Sequence, residues 1–400
     1  MKRSTCTICL VVAFMLSCSD DPSDNIRTVE IGGLFSISGN WSTLGKASVV
    51  AMNIAIEDVN KYFGKTGSNI RLSGKISDTR LEPQTAVTEL QKLVSKGNLR
   101  FIIGPQSSAE VKAIADLVAE KELIAVSQGS TASSMALPGD GIFRFCPGDA
   151  VEGLAMSRSF YNSGKRVLIT LSRDDAGNKG LQASVGKNFA ELGGLVDAIP
   201  PYSITKTDFS DLIATVRAKL EVYIAANGTA KVGVYIASFE ELAVLFAQAA
   251  YDPVLASVNW YGGDGVALSS AVLDYPDARN FAIATGFYAP VFGLPADTPA
   301  ELDRLVAAIE SEAGAVPDAY ALAVYDAVWV IARTCALQQG IPGDYGALKD
   351  SFQFESDKYS GITGPVLLDE NGDRKSGSFD YFGIREKGNG YEWALVGKSN

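Results

Sequence analysis

Four hydroxyl residues and one acid define the chemistry this chain can offer. Ser107 and Ser108 follow the apolar run Phe101–Ile103 and the breaker Gly104-Pro105. Gly129, Ser130 and Thr131 follow a second run, Leu123–Ser127, and Val111, Ile114, Ala115 and Val118 recur at helical spacing between the two. Two parallel strands joined by a helix bring the loops after both strands to one sheet edge. Hydroxyls and free N–H groups gathered there suit a small carboxylate, and a serine at a helix start adds the helix dipole. The same residues serve equally well as caps of the helix and of the next turn. Asp264, in Gly262-Gly263-Asp264-Gly265, sets a carboxylate on a tight turn, where it either meets an ammonium group or simply favours the turn.

Other chemistry is missing. The 400 residues contain no histidine, which removes His-based triads and the commonest metal ligand. No nucleophile–base pair can be named, so no catalytic residue is assigned and the chain reads as a non-enzyme. Gly32-Gly33 lacks the GxGxxG spacing and there is no GxxxxGK[ST], so no nucleotide cofactor is expected. Asp369–Asp373 departs from a calcium loop at its sixth position, Arg374, and reads as a β-turn; no metal is expected. A formal charge of −11 argues against a nucleic-acid partner.

These residues need a scaffold, and the apolar pattern supplies an α/β one. Strand-like runs at Val29–Phe35 and Ile70–Ile76 alternate with helical stripes at Leu44–Tyr62 and after Pro83, leading into the unit above. Pro138–Asp149 breaks the alternation. A second series follows: Arg166–Leu171, Leu181–Leu192, Leu195–Ile199, Phe209–Leu220, Val232–Ala237, Glu240–Tyr251 and Val258–Tyr261. Phe281–Phe287 reads as an extended return crossing, then come helices Pro299–Glu312 and Asp318–Leu337 and a tail of strands around Gly-rich turns. The expectation is two doubly wound, Rossmann-like lobes joined by a three-crossing hinge. Lobe 1 takes residues 28–146 plus 287–358, and lobe 2 takes 147–286 plus 359–400.

The N-terminus reads as an export signal over residues 1–17, with Lys2 and Arg3 ahead of the apolar core Ile8–Leu16. Met15-Leu16-Ser17-Cys18 resembles the lipobox of bacterial lipoproteins, which implies acylation at Cys18 and an acidic tether over residues 18–27. No other apolar run approaches the ~18 residues of a membrane span. The lipid is then the only membrane attachment, at the periplasmic face or the cell surface. Cys146 and Cys335 are left unpaired.

Several short stretches carry a wider resemblance. They are Ser38–Ala47, Phe101–Gly104 with Ser107-Ser108, Ser127–Ala132, Phe143-Arg144 with Pro147 and Asp149, and Asp175 with Gly177. Gly263-Asp264-Gly265, Tyr325-Asp326-Ala327 and Ile362–Pro365 through Gly372-Asp373 complete the set. Over the whole mature length the chain resembles type I periplasmic binding proteins of the branched-chain amino acid class, which serve ABC transporters. The resemblance implies an amino acid or amide-like ligand held between the lobes and a monomer that docks on an ABC permease. It implies that Ser108 and Thr131 give hydroxyls to the ligand carboxylate, that the Gly129 carbonyl meets the ammonium, and that Asp264 supplies the charge partner. Ser107 stands beside them. Ala176 and Ser238 (with Phe239 next to it) replace aromatic walls of the family, leaving Trp41 and Tyr288 to supply aromatic surface. Arg173 is either a contact for a second acidic group on the ligand or a solvated side chain. A sensor domain that passes closure to a signalling partner, and a ligand-free scaffold, are the alternative uses of such a fold.

Overall fold

The computed structural model describes residues 26–295 and 300–399, so the export signal, Cys18 and most of the tether lie outside the described residues. The chain opens with β1 (Arg27–Phe35), α1 (Ser42–Lys65), β2 (Ile70–Asp78), α2 (Pro83–Val94) and β3 (Phe101–Ile103). It continues through α3 (Ser108–Glu120), β4 (Ile124–Ser127) and β5 (Ile142–Pro147). Pro83 stands in the first turn of α2, where its missing N–H costs nothing. Ala47, Ala51, Ala55 and Val59 give α1 the buried stripe that lays it on the sheet. Every residue of β3 and β4 is buried, as uninterrupted apolar runs require when helices cover both sheet faces.

The second series comprises α4 (Asp149–Asn162), β6 (Val167–Ser172), α5 (Ala176–Glu191), β7 (Leu195–Ala198) and α6 (Ser210–Asn227). Then follow β8 (Val232–Ala237), α7 (Leu242–Ala249), β9 (Asn259–Gly262), α8 (Ser270–Asp274), α9 (Pro276–Ala284) and β10 (Tyr288–Phe292). The chain returns through α10 (Glu301–Ala313), α11 (Ala319–Leu337), α12 (Tyr345–Asp357), β11 (Ser360–Gly361), β12 (Gly364–Pro365) and β13 (Asp373–Arg374). It ends in the hairpin β14 (Phe379–Lys387) and β15 (Gly390–Lys398).

Two sheets result. The first has the order β13-β5-β4-β3-β1-β2 and the second β15-β14-β10-β9-β8-β6-β7, the latter parallel except for its terminal hairpin. In each, the order reverses next to the first strand of the series, between β1 and β3 and between β6 and β8. Ligands of open α/β sheets bind at such switch points, beyond the carboxyl ends of the strands. The expected two-lobe α/β architecture, with three passages of the chain between the sheets, is therefore present.

Three details differ from the sequence reading. Residues 281–287 are not an extended crossing: Ala278, Phe281 and Ala282 are the buried face of α9, whose helical spacing the apolar run FAIATGF conceals. Nor does the chain leave the second lobe at 287 or the first at 359. β10 pairs with β14 across five residues in the second sheet, so the return passage begins after Phe292. β13 pairs with β5 in the first sheet, so the last passage begins after Arg374. It is pinned there by a buried two-pronged ion pair between Arg144 and Asp373. Finally, α11 is long and apolar enough to cross a membrane, yet it is buried as a core helix packed on α1 and α12. Cys146 and Cys335 are both buried free thiols.

Candidate functional site

The loops at the two switch points face each other across a narrow, nearly closed cleft, lined by Trp41, Ser108, Gly129 and Thr131 from one side and Asp175, Phe239 and Asp264 from the other. The first-lobe wall is tied together by its own hydrogen bonds. Ser127 Oγ donates to Pro105 O at 2.6 Å and accepts from Ser130 N–H at 3.1 Å, fastening the loop after β4 to the loop after β3. Ser108 Oγ accepts from Ala132 N–H at 3.1 Å and from Ser130 Oγ at 3.0 Å. Its acceptor capacity is thereby used, and its own proton is left for the cleft. Gly129 has to be glycine: a Cβ there would lie 2.8 Å from Gln106 O and 3.0 Å from the Trp41 ring.

Ser107 also lines the cleft, but its hydroxyl is committed elsewhere. It caps α3, donating to Glu110 Oε2 at 2.6 Å while Glu110 N–H returns a bond at 3.3 Å. The S-x-x-E spacing that announces this capping box is visible in the sequence. Trp41 holds the left-handed conformation (φ 57°), which a bulky residue rarely adopts. Its carbonyl accepts from Gln106 Nε2 at 2.9 Å, and Gln106 Oε1 accepts from Ser36 N–H at 3.1 Å. This buried glutamine, unmarked by any motif, fixes the backbone of Trp41, whose ring centre lies 4.9 Å from that of Phe239.

The second-lobe wall is acidic. Asp264 is 8% exposed; its Oδ2 accepts from the Tyr320 hydroxyl at 3.0 Å, and its N–H donates to Glu152 Oε1 at 3.2 Å. Glu152 is fully buried and Asp149 is 1% exposed, both in the first turn of α4. Burial pushes the Asp264 carboxyl up to about 6 and Asp149 to about 7, and raises Glu152 well above its ordinary value, with Asp264 and Asp149 adding repulsion. Asp175 caps α5 through Asn178 N–H at 3.0 Å and lies 3.2 Å from Arg173 Nε. Arg173 is neither solvated nor open to a ligand: it is 7% exposed, wedged between Asp175 and Glu241 and 5.3 Å from the Phe239 ring centre.

One wall thus offers neutral donors and the other offers carboxyl groups, with two aromatic rings between. The family model described as "Periplasmic binding protein" matches residues 28–365. The chain belongs to the periplasmic binding protein family. An uncharacterized protein of Methanocaldococcus jannaschii is 32% identical over 388 residues, covering 93% of this chain and 89% of its own. The Leu/Ile/Val-binding protein BraC3 of Rhizobium johnstonii is 25% identical over 390 residues, or 96% of either chain. The structure of LivJ from Streptococcus pneumoniae in complex with isoleucine matches at TM-score 0.71 and 18% identity, covering 92% of this chain and 100% of its own.

In this periplasmic binding protein, three of the expected wall residues lie outside the cleft. Ala176 is half-buried in the first turn of α5, and Gly177 and Asn178 line the cleft instead. Ser238 is fully buried with its hydroxyl unpartnered, and the next residue, Phe239, faces the cleft. Tyr288 begins β10 level with Tyr261, below the carboxyl edge of the sheet where ligand loops emerge. Its hydroxyl lies 2.7 Å from Ser159 Oγ, and its ring packs on Tyr261 and Tyr381. The sequence reading did not select Gln106, Glu152, Asn178 or Tyr320. Only Asn178 carries a local signal, the Asp-x-x-Asn spacing of a helix cap.

Proposed function

We propose that this protein is an exported, lipid-anchored substrate-binding component of an ABC transporter, and that it captures a small α-amino acid by closing its lobes over it. The observation that carries the reading is the polarity of the cleft. The free proton of Ser108, with Thr131 beside it, suits the ligand carboxylate. The Gly129 carbonyl and Asp264 suit the ammonium. A zwitterion lies across such a cleft with each charge met, whereas a simple anion would confront the acids and a simple cation would leave the donors idle. Trp41 and Phe239 close over the aliphatic part. BraC3 is a Leu/Ile/Val-binding protein and the LivJ structure holds isoleucine, which supports this class. Lobe closure is the event that a permease can read, and Cys18 supplies the anchor.

The test is a thermal-shift and calorimetric screen of the chain lacking its first 18 residues against the L-amino acids, short amides, aromatic acids and sugars. A ligand at about 100 times its dissociation constant adds ~2.7 kcal/mol of stability. A shift with L-amino acids that Asp264→Ala abolishes supports the reading; a shift confined to ligands without an amine removes Asp264 from its role.

A further inference from the structure

The helix α1 starts without a cap from its own lobe. Its N-cap residue, Trp41, makes no side-chain cap bond to the first turn. The acceptor comes from the facing lobe. Glu240, in the loop between β8 and α7, accepts Ser42 N–H on Oε2 and Thr43 N–H on Oε1, each at 3.3 Å. The Ser42 and Thr43 hydroxyls donate to the same two oxygens at 3.4 and 2.7 Å. Thr43 Oγ1 also lies 2.9 Å from Ser270 Oγ and accepts from Ser270 N–H at 3.4 Å.

A carboxylate seated on the open N–H groups of a first turn satisfies both the orphan donors and the helix dipole. Here helix and carboxylate belong to different lobes, so the bonds exist only while the lobes are together. None of Glu240, Ser42, Thr43 or Ser270 lines the cleft. Yet the aromatic pair that covers it, Trp41 and Phe239, immediately precedes Ser42 and Glu240 in the chain. Any ligand that seats the two rings also seats the cap. We propose that Glu240 is a closure latch: a positioning residue that caps α1 from the opposite lobe and holds the cleft shut without touching what is in it. Opening the lobes strands the first-turn donors of α1 in solvent, and closing them restores the bonds. The effect on ligand affinity rests on the binding role proposed above; the effect on closure does not.

The experiment measures closure directly. Spin labels are placed on Lys61→Cys and Asn227→Cys, exposed positions on α1 and α6, while buried Cys146 and Cys335 stay unlabelled. Distances are read by pulsed electron resonance without ligand and with excess L-leucine. Glu240→Ala is expected to lower the ratio of closed to open molecules about fivefold, the size of a lost helix cap. Thr43→Val, on the other lobe, should act in the same direction, and the double variant should be no worse than Glu240→Ala alone. Glu240→Gln, which keeps an acceptor but not the charge, should recover part of the loss. An unchanged ratio in Glu240→Ala, fully additive effects, or a wild type that never populates the closed distance overturns the latch. If L-leucine leaves the wild type unmoved while Glu240→Ala still opens it, the latch stands and leucine is not the ligand.

Discussion

On the first-lobe wall the polar groups that face the cleft are neutral and already anchored, Ser108 through Ala132 and Ser130, Gly129 through its fit against Trp41. On the second-lobe wall the facing groups are carboxyls, and behind them Glu152 and Asp149 leave carboxyl oxygens with no hydrogen-bond partner. Among the described residues, neither these two nor Asp264 forms an ion pair with a lysine or arginine. The first wall is pre-organised, so a ligand carboxylate meets donors that need no rearrangement. The second carries an electrostatic cost in its ionised form, which either protonation or a cation in the cleft relieves. On the proposed reading, one side sets where a ligand lies and the other makes its charge matter.

The sharpest way to break this contrast is to remove the acid that faces the cleft. Asp264→Ala should weaken an amino acid by about 2–5 kcal/mol, the cost of leaving one partner of a buried charge pair unmet. Its own stability should hold or rise, because a buried repulsive acid is gone. Calorimetry and thermal unfolding of the same samples separate the two effects; equal losses of affinity and stability would defeat the assignment. Ser108→Ala should cost about 1.5–3 kcal/mol of affinity, as expected of one hydrogen bond to a charged group. Unlike the aspartate variant, it should also lower stability, since Ala132 N–H and Ser130 Oγ lose their acceptor.

The same contrast explains what could be read before the fold was known. The first wall is one contiguous strand–loop–helix–strand stretch, so local pattern placed Ser108, Gly129 and Thr131 together. The Ser107 capping box was equally local, but local pattern did not separate the two adjacent serines, and the choice of Ser108 came from the family resemblance. The second wall gathers residues from strand ends far apart in the chain. The bounds of β8 were legible, yet which of the two residues after it, Ser238 or Phe239, turns toward the cleft depends on the path of the loop and not on the strand pattern. Tyr288 was named as aromatic surface in place of the missing walls, beside a crossing read as ending at 287, five residues before β10 ends. Glu152 and Tyr320 meet Asp264 from 112 and 56 residues away, a distance no periodicity bridges.

Acidity should then separate the walls. Asp264 is held at about 6, above its ordinary 3.8, so the folded chain binds this proton more tightly than the unfolded one. That contribution to stability is complete below 3.8 and is lost as pH rises through about 6, and Asp149 extends the loss to about 7. The ligand-free protein should therefore unfold more easily, as far as these groups decide it, at pH 8 than at pH 5. Amino acid affinity should run the other way, tightening about tenfold over the same interval as Asp264 ionises. Asp264→Asn should flatten the affinity profile, and Ser108→Ala should leave its shape intact. A profile with no slope in the wild type would place the ammonium elsewhere.

The smallest effect is the most discriminating for the fold. Tyr288→Phe deletes only a hydroxyl, and that hydroxyl bonds to Ser159 within the second lobe. The ring remains packed on Tyr261 and Tyr381, so the loss should be about 1 kcal/mol of stability, that of one buried hydrogen bond. Ligand affinity should not change, because β10 enters the sheet below its carboxyl edge and Tyr288 is not among the residues lining the cleft. Trp41→Phe is the companion variant. It keeps an aromatic ring at the cleft but shortens the surface that meets Phe239, and it should weaken binding as well as lower stability, because the buried Trp41 ring also packs on Tyr320. Two aromatic residues that composition alone ranks alike would thus differ in whether they cover the ligand. A loss of affinity in Tyr288→Phe comparable to that in Trp41→Phe would mean that the second lobe reaches the ligand from its interior rather than from its strand ends.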